Sequence, residues 1–247
     1  MIRVAVIGAA GRMGSTVVEA VEAADDLEVV ARIDDGDAIT RDTLAGADVA
    51  VDFTAPSVTE ANVHACLEAG VDVVVGTTGW MEESLARVRE QAEAVGAHVL
   101  VAPNFAMSAV LVMRFAALAA PYFESAEVIE LHHPDKVDAP SGTALATARR
   151  IAAARNAQDC APMPDATTTD PLGARGAEVE GVHVHAVRLR GLTAHQEVLL
   201  GNPGEQLVLR TDSFDRISFM PGVLFGIRHV SERPGLTVGL DVLMGLA

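Results

Sequence analysis

The chain has 247 residues, half of them hydrophobic but only 4% aromatic, and a formal net charge of −16. That length allows one large or two modest domains around a core of Ala, Val, Leu and Ile. Such acidity argues against nucleic acid or an anionic membrane surface as partner, so an anionic ligand must be drawn by a few local cations and backbone amides.

In chain order, Arg3 to Ile7 is a short apolar run that leads straight into GAAGRMG. The start has no signal-peptide layout, and no apolar segment nears the roughly 20 residues of a spanning helix, so a cytoplasmic protein is expected. Met13, Val17 and Val21 recur at helical spacing. Strands are expected at Leu27 to Ile33, Val49 to Phe53, Val71 to Val75 and His98 to Ala102. Ser57 and Glu60 have capping-box spacing for the helix that stops at Gly70. Leu85, Val88, Ala92 and Val95 mark a further helix face. Strand and helix alternate through the first 105 residues, the pattern of a Rossmann-like, doubly wound parallel sheet.

From Met107 to Phe123 the sequence predicts one long helix. A strand at Glu127 to Leu131, a loop, and a helix from Thr143 to Arg155 follow. Residues 156–181 are rich in Pro, Thr, Asp and Gly and read as loop. Strand-like runs at Val182 to Arg190, His195 to Leu200 and Gln206 to Thr211 complete an α+β unit with a mixed, open sheet. Pro221 opens a last helix, which Pro234-Gly235 ends. The expected organisation is a first domain of residues 1–106 plus 217–247 and a second of 107–216.

Gly8, Gly11 and Gly14 form G-x-x-G-x-x-G between a strand and a helix. Glycine permits the tight turn and lets amides approach a pyrophosphate at the helix N-terminus. Asp34 lies 20 residues beyond Gly14 at a strand end, where a carboxylate suits an adenosine ribose. Asp34 and Asp35 disfavour a 2′-phosphate, and Arg12 offsets them, so NADH, or both NADH and NADPH, is the expected cofactor. Gly76 to Gly79 and Ala102 to Phe105 lie at strand ends on the ligand edge.

The sharpest signal is E-L-H-H-P-D-K-V-D-A-P-S-G-T-A. Of 18 basic residues only Lys136 is lysine, and unlike Arg it can release a proton. It stands within five residues of His132 and His133, on a loop broken by Pro134 and Pro140. Ser141 reads as the N-cap of the next helix, whose Gly142 and Thr143 N–H groups suit an anion. No metal site is expected here, because His132, His133 and Asp135 are too close in sequence to make a built one. Two rivals stand beside this reading. One is a semialdehyde dehydrogenase working through Cys160, and the other is a dinucleotide-sensing module without chemistry.

These motifs, with D-F-T at Asp52, GTTG at Gly76 and A-P-N-F at Ala102, resemble the dihydrodipicolinate reductase family over the whole chain. The resemblance implies hydride transfer from NADH or NADPH to a cyclic dicarboxylate in lysine and diaminopimelate biosynthesis. It implies His132 as the acid–base residue and Lys136 as the proton donor, with substrate held by His133, Ser141, Gly142 and Thr143. The dinucleotide would contact Gly8, Ala9, Ala10, Gly11, Arg12, Met13, Asp34, Gly76, Thr77, Thr78, Ala102, Pro103, Asn104 and Phe105. It also implies a homotetramer formed through the second domain's sheet.

Overall fold

The computed structural model describes residues 1–246. Its elements in chain order are β1 (Ile2–Ile7), α1 (Arg12–Glu22), β2 (Leu27–Ile33), β3 (Val49–Asp52), α2 (Thr59–Glu68), β4 (Asp72–Val75), α3 (Glu82–Val95) and β5 (His98–Val101). Then follow α4 (Met107–Ala119), β6 (Ser125–His132), α5 (Gly142–Asn156), β7 (Ala177–Val179), β8 (Val182–Arg188), β9 (Ala194–Asn202) and β10 (Glu205–Ser213). The chain ends with α6 (Met220–His229), β11 (Gly235–Val238) and α7 (Leu240–Leu243). It forms two compact units, Met1–Ala106 with the segment from Arg216 onward, and Met107–Asp215.

The first unit is built on a six-stranded, all-parallel sheet in the order β11-β5-β4-β3-β1-β2. Its central strands are short, nearly unbroken runs of buried Val, Ala and Leu, as expected where helices cover both faces. The chain runs outward from β1 to β2, then returns to build β3 on the other side. Between β1 and β3 the winding therefore reverses, and ligand crevices open at such a point.

The second unit carries a five-stranded mixed sheet, β10-β9-β6-β8-β7, in which only β6 and β8 run parallel. Ala144, Ala148, Ile151 and Ala152 of α5 and Val112 and Ala116 of α4 pack with Ala126, Val128, Val184, Val198 and Leu200 of the sheet. Small residues on α5 bring its backbone close to β6.

Several local expectations need correction. The helix expected from Met107 to Phe123 ends at Ala119 and tightens into a 3-10 turn over Ala120–Tyr122, because Pro121 removes an N–H that a continuing α-helix needs. Ser57 and Glu60 form no capping box, for α2 starts at Thr59 without a side-chain cap. Glu60 instead bonds Arg87 Nε at 2.7 Å. Residues 156–181 are not all loop, since β7 pairs antiparallel with β8 through a turn with Glu180 at φ 53° and Gly181 at φ 86°. Two successive positive φ values match the twist of a two-residue hairpin. Finally, Gly235 does not merely end a helix: it starts β11, which pairs parallel with β5.

Candidate active site

The first unit has a cleft of about 530 Å³ at the winding reversal, lined by Gly8, Gly11, Asp34, Asp35, Asp37, Phe53 and Thr54 among others. A smaller hollow of about 220 Å³ shares Phe53 and Thr54 and adds Met13, Gly76, Thr77 and Thr78. The glycines are required by packing. Gly8 has φ +81°, and a Cβ on Gly14 would lie 1.9 Å from the Gly8 carbonyl oxygen. Only bare backbone makes this cradle, and a cradle open to amides is what a pyrophosphate needs. Asp34 accepts the Ala10 N–H at 2.8 Å through Oδ1 and at 3.1 Å through Oδ2. Its carboxylate is thereby fixed beside the glycine turn, with acceptor capacity left over. Arg12 is exposed at the start of α1.

The Ala102 to Phe105 segment is more structural. Ala102 and Phe105 are buried, and the Phe105 ring packs against Phe53 at a centroid distance of 5.8 Å. Pro103 is exposed. Asn104 Oδ1 accepts the Ala106 N–H at 2.8 Å.

In the second unit, β6 alternates inward and outward, with Ala126, Val128 and Glu130 buried. Glu130 is therefore a carboxylate at a core position, with no exposed surface. It is fully paired. Arg188 grips it with Nη1 to Oε2 at 2.7 Å and Nη2 to Oε1 at 2.8 Å. His132 Nδ1 lies 2.5 Å from Oε2, and the Ser141 N–H donates to Oε1 at 3.0 Å. Parallel pairing sets Arg188 opposite His132, and the long guanidinium stem reaches back to Glu130. Arg188 Nη2 also donates to the Asp138 carbonyl at 2.7 Å. One buried carboxylate thus ties both ends of the loop between β6 and α5.

On that loop Lys136 Nζ donates to Asp138 Oδ1 at 2.7 Å. The ammonium holds the Asp138 carboxyl below its ordinary range, and the Gly142 N–H adds a weaker pull. Asp138 so rests between the two kinds of donor that an incoming carboxylate would use. Ser141 is the N-cap of α5, and its side chain accepts the Ala144 N–H at 3.2 Å. Gly142 is exposed, Thr143 half-buried and His133 exposed.

Burial lowers the pKa of His132, and the Glu130 hydrogen bond only partly restores it. For Glu130, burial alone would raise the value, but the Arg188 and His132 hydrogen bonds outweigh it and hold the carboxyl low. An ionised carboxylate only accepts, so Nδ1–H of a neutral His132 donates to it and Nε2 presents a lone pair. NMR titration of the ring is expected to give a value below the ordinary 6.5. As pH falls, the unfolded chain therefore takes up this proton first. The imidazole's contribution to stability is full above the unfolded value and is lost as the pH drops from there toward the folded one. A titration at or above the ordinary value would remove burial as the controlling effect.

The family model described as dihydrodipicolinate reductase, N-terminus, matches residues 2–105, and the one described as its C-terminus matches residues 108–244. The chain belongs to the dihydrodipicolinate reductase family. A 4-hydroxy-tetrahydrodipicolinate reductase of Beutenbergia cavernae is 64% identical, with 99% of each chain covered. One from Bifidobacterium animalis subsp. lactis is 62% identical over the whole of both. A solved dihydrodipicolinate reductase from Paenisporosarcina sp. TG-14, with dipicolinate bound, aligns at a TM-score of 0.86 and 39% identity, covering 98% of this chain and 99% of that one.

Membership in this reductase family removes both rival readings, and the structure agrees about the cysteines. The Cys160 thiol donates to the Pro121 carbonyl at 3.7 Å and no imidazole partners it among the described residues. Burial pushes the Cys66 thiol up to about 12. Three residues of this site had no role expected from the sequence, although the first two lie within the lysine motif: Glu130, Asp138 and Arg188. Glu130 had a readable signal, because period two places it on the face of Ala126 and Val128, where charge is out of place.

Proposed function

We propose that this chain reduces 4-hydroxy-tetrahydrodipicolinate to tetrahydrodipicolinate, in diaminopimelate and lysine biosynthesis, with a nicotinamide dinucleotide as reductant. The observation that carries this reading is the single loop that presents Lys136, a neutral His132 and the N-terminus of α5. Gly8, Ala9, Ala10, Gly11, Arg12, Met13 and Asp34 would hold the pyrophosphate and adenosine half of the dinucleotide. Gly76, Thr77 and Thr78, with Ala102, Pro103, Asn104 and Phe105, would border the nicotinamide half. When bound, that group supplies the hydride.

The remaining work falls to the loop. The N–H groups of Gly142 and Thr143, aided by the Ser141 cap and by His133, receive one substrate carboxylate. Its arrival displaces Asp138 from the Lys136 ammonium. Lys136 then delivers the one proton with which the substrate's hydroxyl departs as water, so that hydride and proton in balance one water out. His132, with Nδ1–H committed to Glu130, offers Nε2 as an acceptor that orients the substrate or shuttles protons to the loop. Clustered cations and amide donors suit a dianionic ligand in a chain of net charge −16, because local donors act over shorter distances than the diffuse field.

Three carboxylates, Asp34, Asp35 and Asp37, line the cleft beside Gly8 and Gly11. They favour ribose hydroxyls over a 2′-phosphate, with Arg12 as the local counterweight, so NADH is preferred and NADPH tolerated. Asp34→Ala is expected to weaken NADH by about tenfold, the loss of charged hydrogen bonds, and NADPH much less. Equal losses in titrations with each cofactor would remove Asp34 from the ribose. A homotetramer built through the second unit's open sheet belongs to the same reading, and sedimentation velocity decides it. The function itself is tested by generating the substrate from pyruvate and aspartate semialdehyde with its synthase, then following nicotinamide absorbance with each cofactor. Substrate-dependent oxidation is expected; none with either cofactor would sink the assignment.

A further inference from the structure

Asp52 ends β3 at the middle of the parallel sheet and is completely buried. Five donors converge on its carboxylate. They are Thr77 Oγ1 at 2.7 Å, Asn62 Nδ2 at 2.8 Å, Thr54 Oγ1 at 2.9 Å, Thr59 Oγ1 at 3.0 Å and the Thr54 N–H at 3.3 Å. No Lys, Arg or His side chain pairs with it among the described residues. A buried carboxylate without a cation is costly unless its acceptor sites are filled. An apolar residue would satisfy this strand at no such cost, so the sheet alone does not call for Asp.

The donors belong to three segments: the turn after β3, the first turn of α2, and the turn after β4. Thr77 Oγ1 also accepts the Thr54 N–H at 2.8 Å, which joins the first and third segments directly. A Cβ on Gly76 would fall 2.0 Å from the Phe53 ring, so the two turns are in close contact with little slack. Asp52 thus locks the two turns that border the smaller hollow.

We propose that Asp52 is a positioning residue for the nicotinamide half of the cofactor site. It fixes the turns at Thr54 and at Gly76 to Thr78 without touching the ligand. The inference rests on the reading that the first unit holds a dinucleotide. It assigns the glycine turn and Asp34 to the adenosine half, whose cleft shares the Phe53–Thr54 turn and Asn62 with the Asp52 cluster but not the Gly76–Thr78 turn, so the larger effect falls on the nicotinamide side.

Asp52→Asn keeps the shape but turns one acceptor into a donor, leaving at least one incoming donor unmatched. The test measures dissociation constants for NADH and for ADP-ribose, which lacks the nicotinamide, together with KM for NADH, kcat and a thermal melt. NADH affinity is expected to fall by about tenfold or more, as for a buried hydrogen bond to a charged group, while ADP-ribose changes by less than about twofold. If Asp52→Asn does not fold, Thr59→Val, which removes one buried donor, should show the same asymmetry at smaller size, and Thr59→Ser, which keeps the hydroxyl, should return NADH affinity to the wild-type value. Equal weakening of both ligands would make Asp52 a general support and overturn the proposal. So would an unchanged NADH affinity in either folded variant. A wild-type chain that binds neither ligand would instead refute the dinucleotide reading beneath it.

Discussion

Lys136→Ala is expected to cut kcat by about a thousandfold, the middle of the range for a lost general acid, while NADH affinity stays within about twofold. The reason is positional. Lys136 is the chain's only lysine, and its ammonium pairs with Asp138, whose carboxyl also feels the Gly142 N–H at the start of α5. Lys136→Arg separates the two duties of this side chain. A guanidinium keeps the positive charge but does not release its proton in the working pH range. KM for the dicarboxylate should therefore recover in the arginine variant while kcat stays low. Steady-state kinetics with both variants, alongside NADH titration by fluorescence, checks this. If turnover per bound complex survives in Lys136→Ala and NADH affinity collapses instead, the lysine is not the proton donor.

The parts of this molecule legible in its sequence are those where one physical requirement dominates. The parallel sheet shows through because its central strands are buried on both faces and carry little but Val, Ala and Leu. The glycine turn shows through because Gly14 has no room for a Cβ. The lysine loop shows through because the prolines exclude helix and it holds the chain's only lysine. What stayed hidden depends on partners distant in sequence. Ser57 and Glu60 have the spacing of a cap, yet Arg87, 27 residues on, captures Glu60, and Asp52 captures the Thr59 hydroxyl. The four residues of β11 begin with Gly235 and are followed by Gly239, and they gain their meaning only from β5, against which they pair. Arg188 reads as one more surface arginine until parallel pairing brings it beside His132. Long-range competition of this kind leaves no local trace, so capping rules and propensities misplace such residues even when each rule is sound.

Glu130→Ala is expected to cost about 3 to 5 kcal/mol, because it leaves Arg188 facing a core site with no counter-charge. The Ser141 N–H and His132 Nδ1–H lose their acceptor as well. For a chain of this size that corresponds to a fall in Tm of about 10 °C, read by calorimetry or circular dichroism. Stability alone does not identify what the carboxylate is for, and a double variant does. Glu130→Leu with Arg188→Met replaces both charges by apolar groups of similar bulk, which removes the uncompensated charge. Most of the lost stability should return, less the share owed to the unsatisfied Ser141 amide. Activity should not return, because His132 no longer has the acceptor that fixes its tautomer and the loop is no longer tied at both ends. The His132 titration should also move, since only burial and nearby cations then act on the ring. A double variant that recovers turnover together with stability would show that Glu130 and Arg188 merely fill the core, and that the loop finds its working geometry without them.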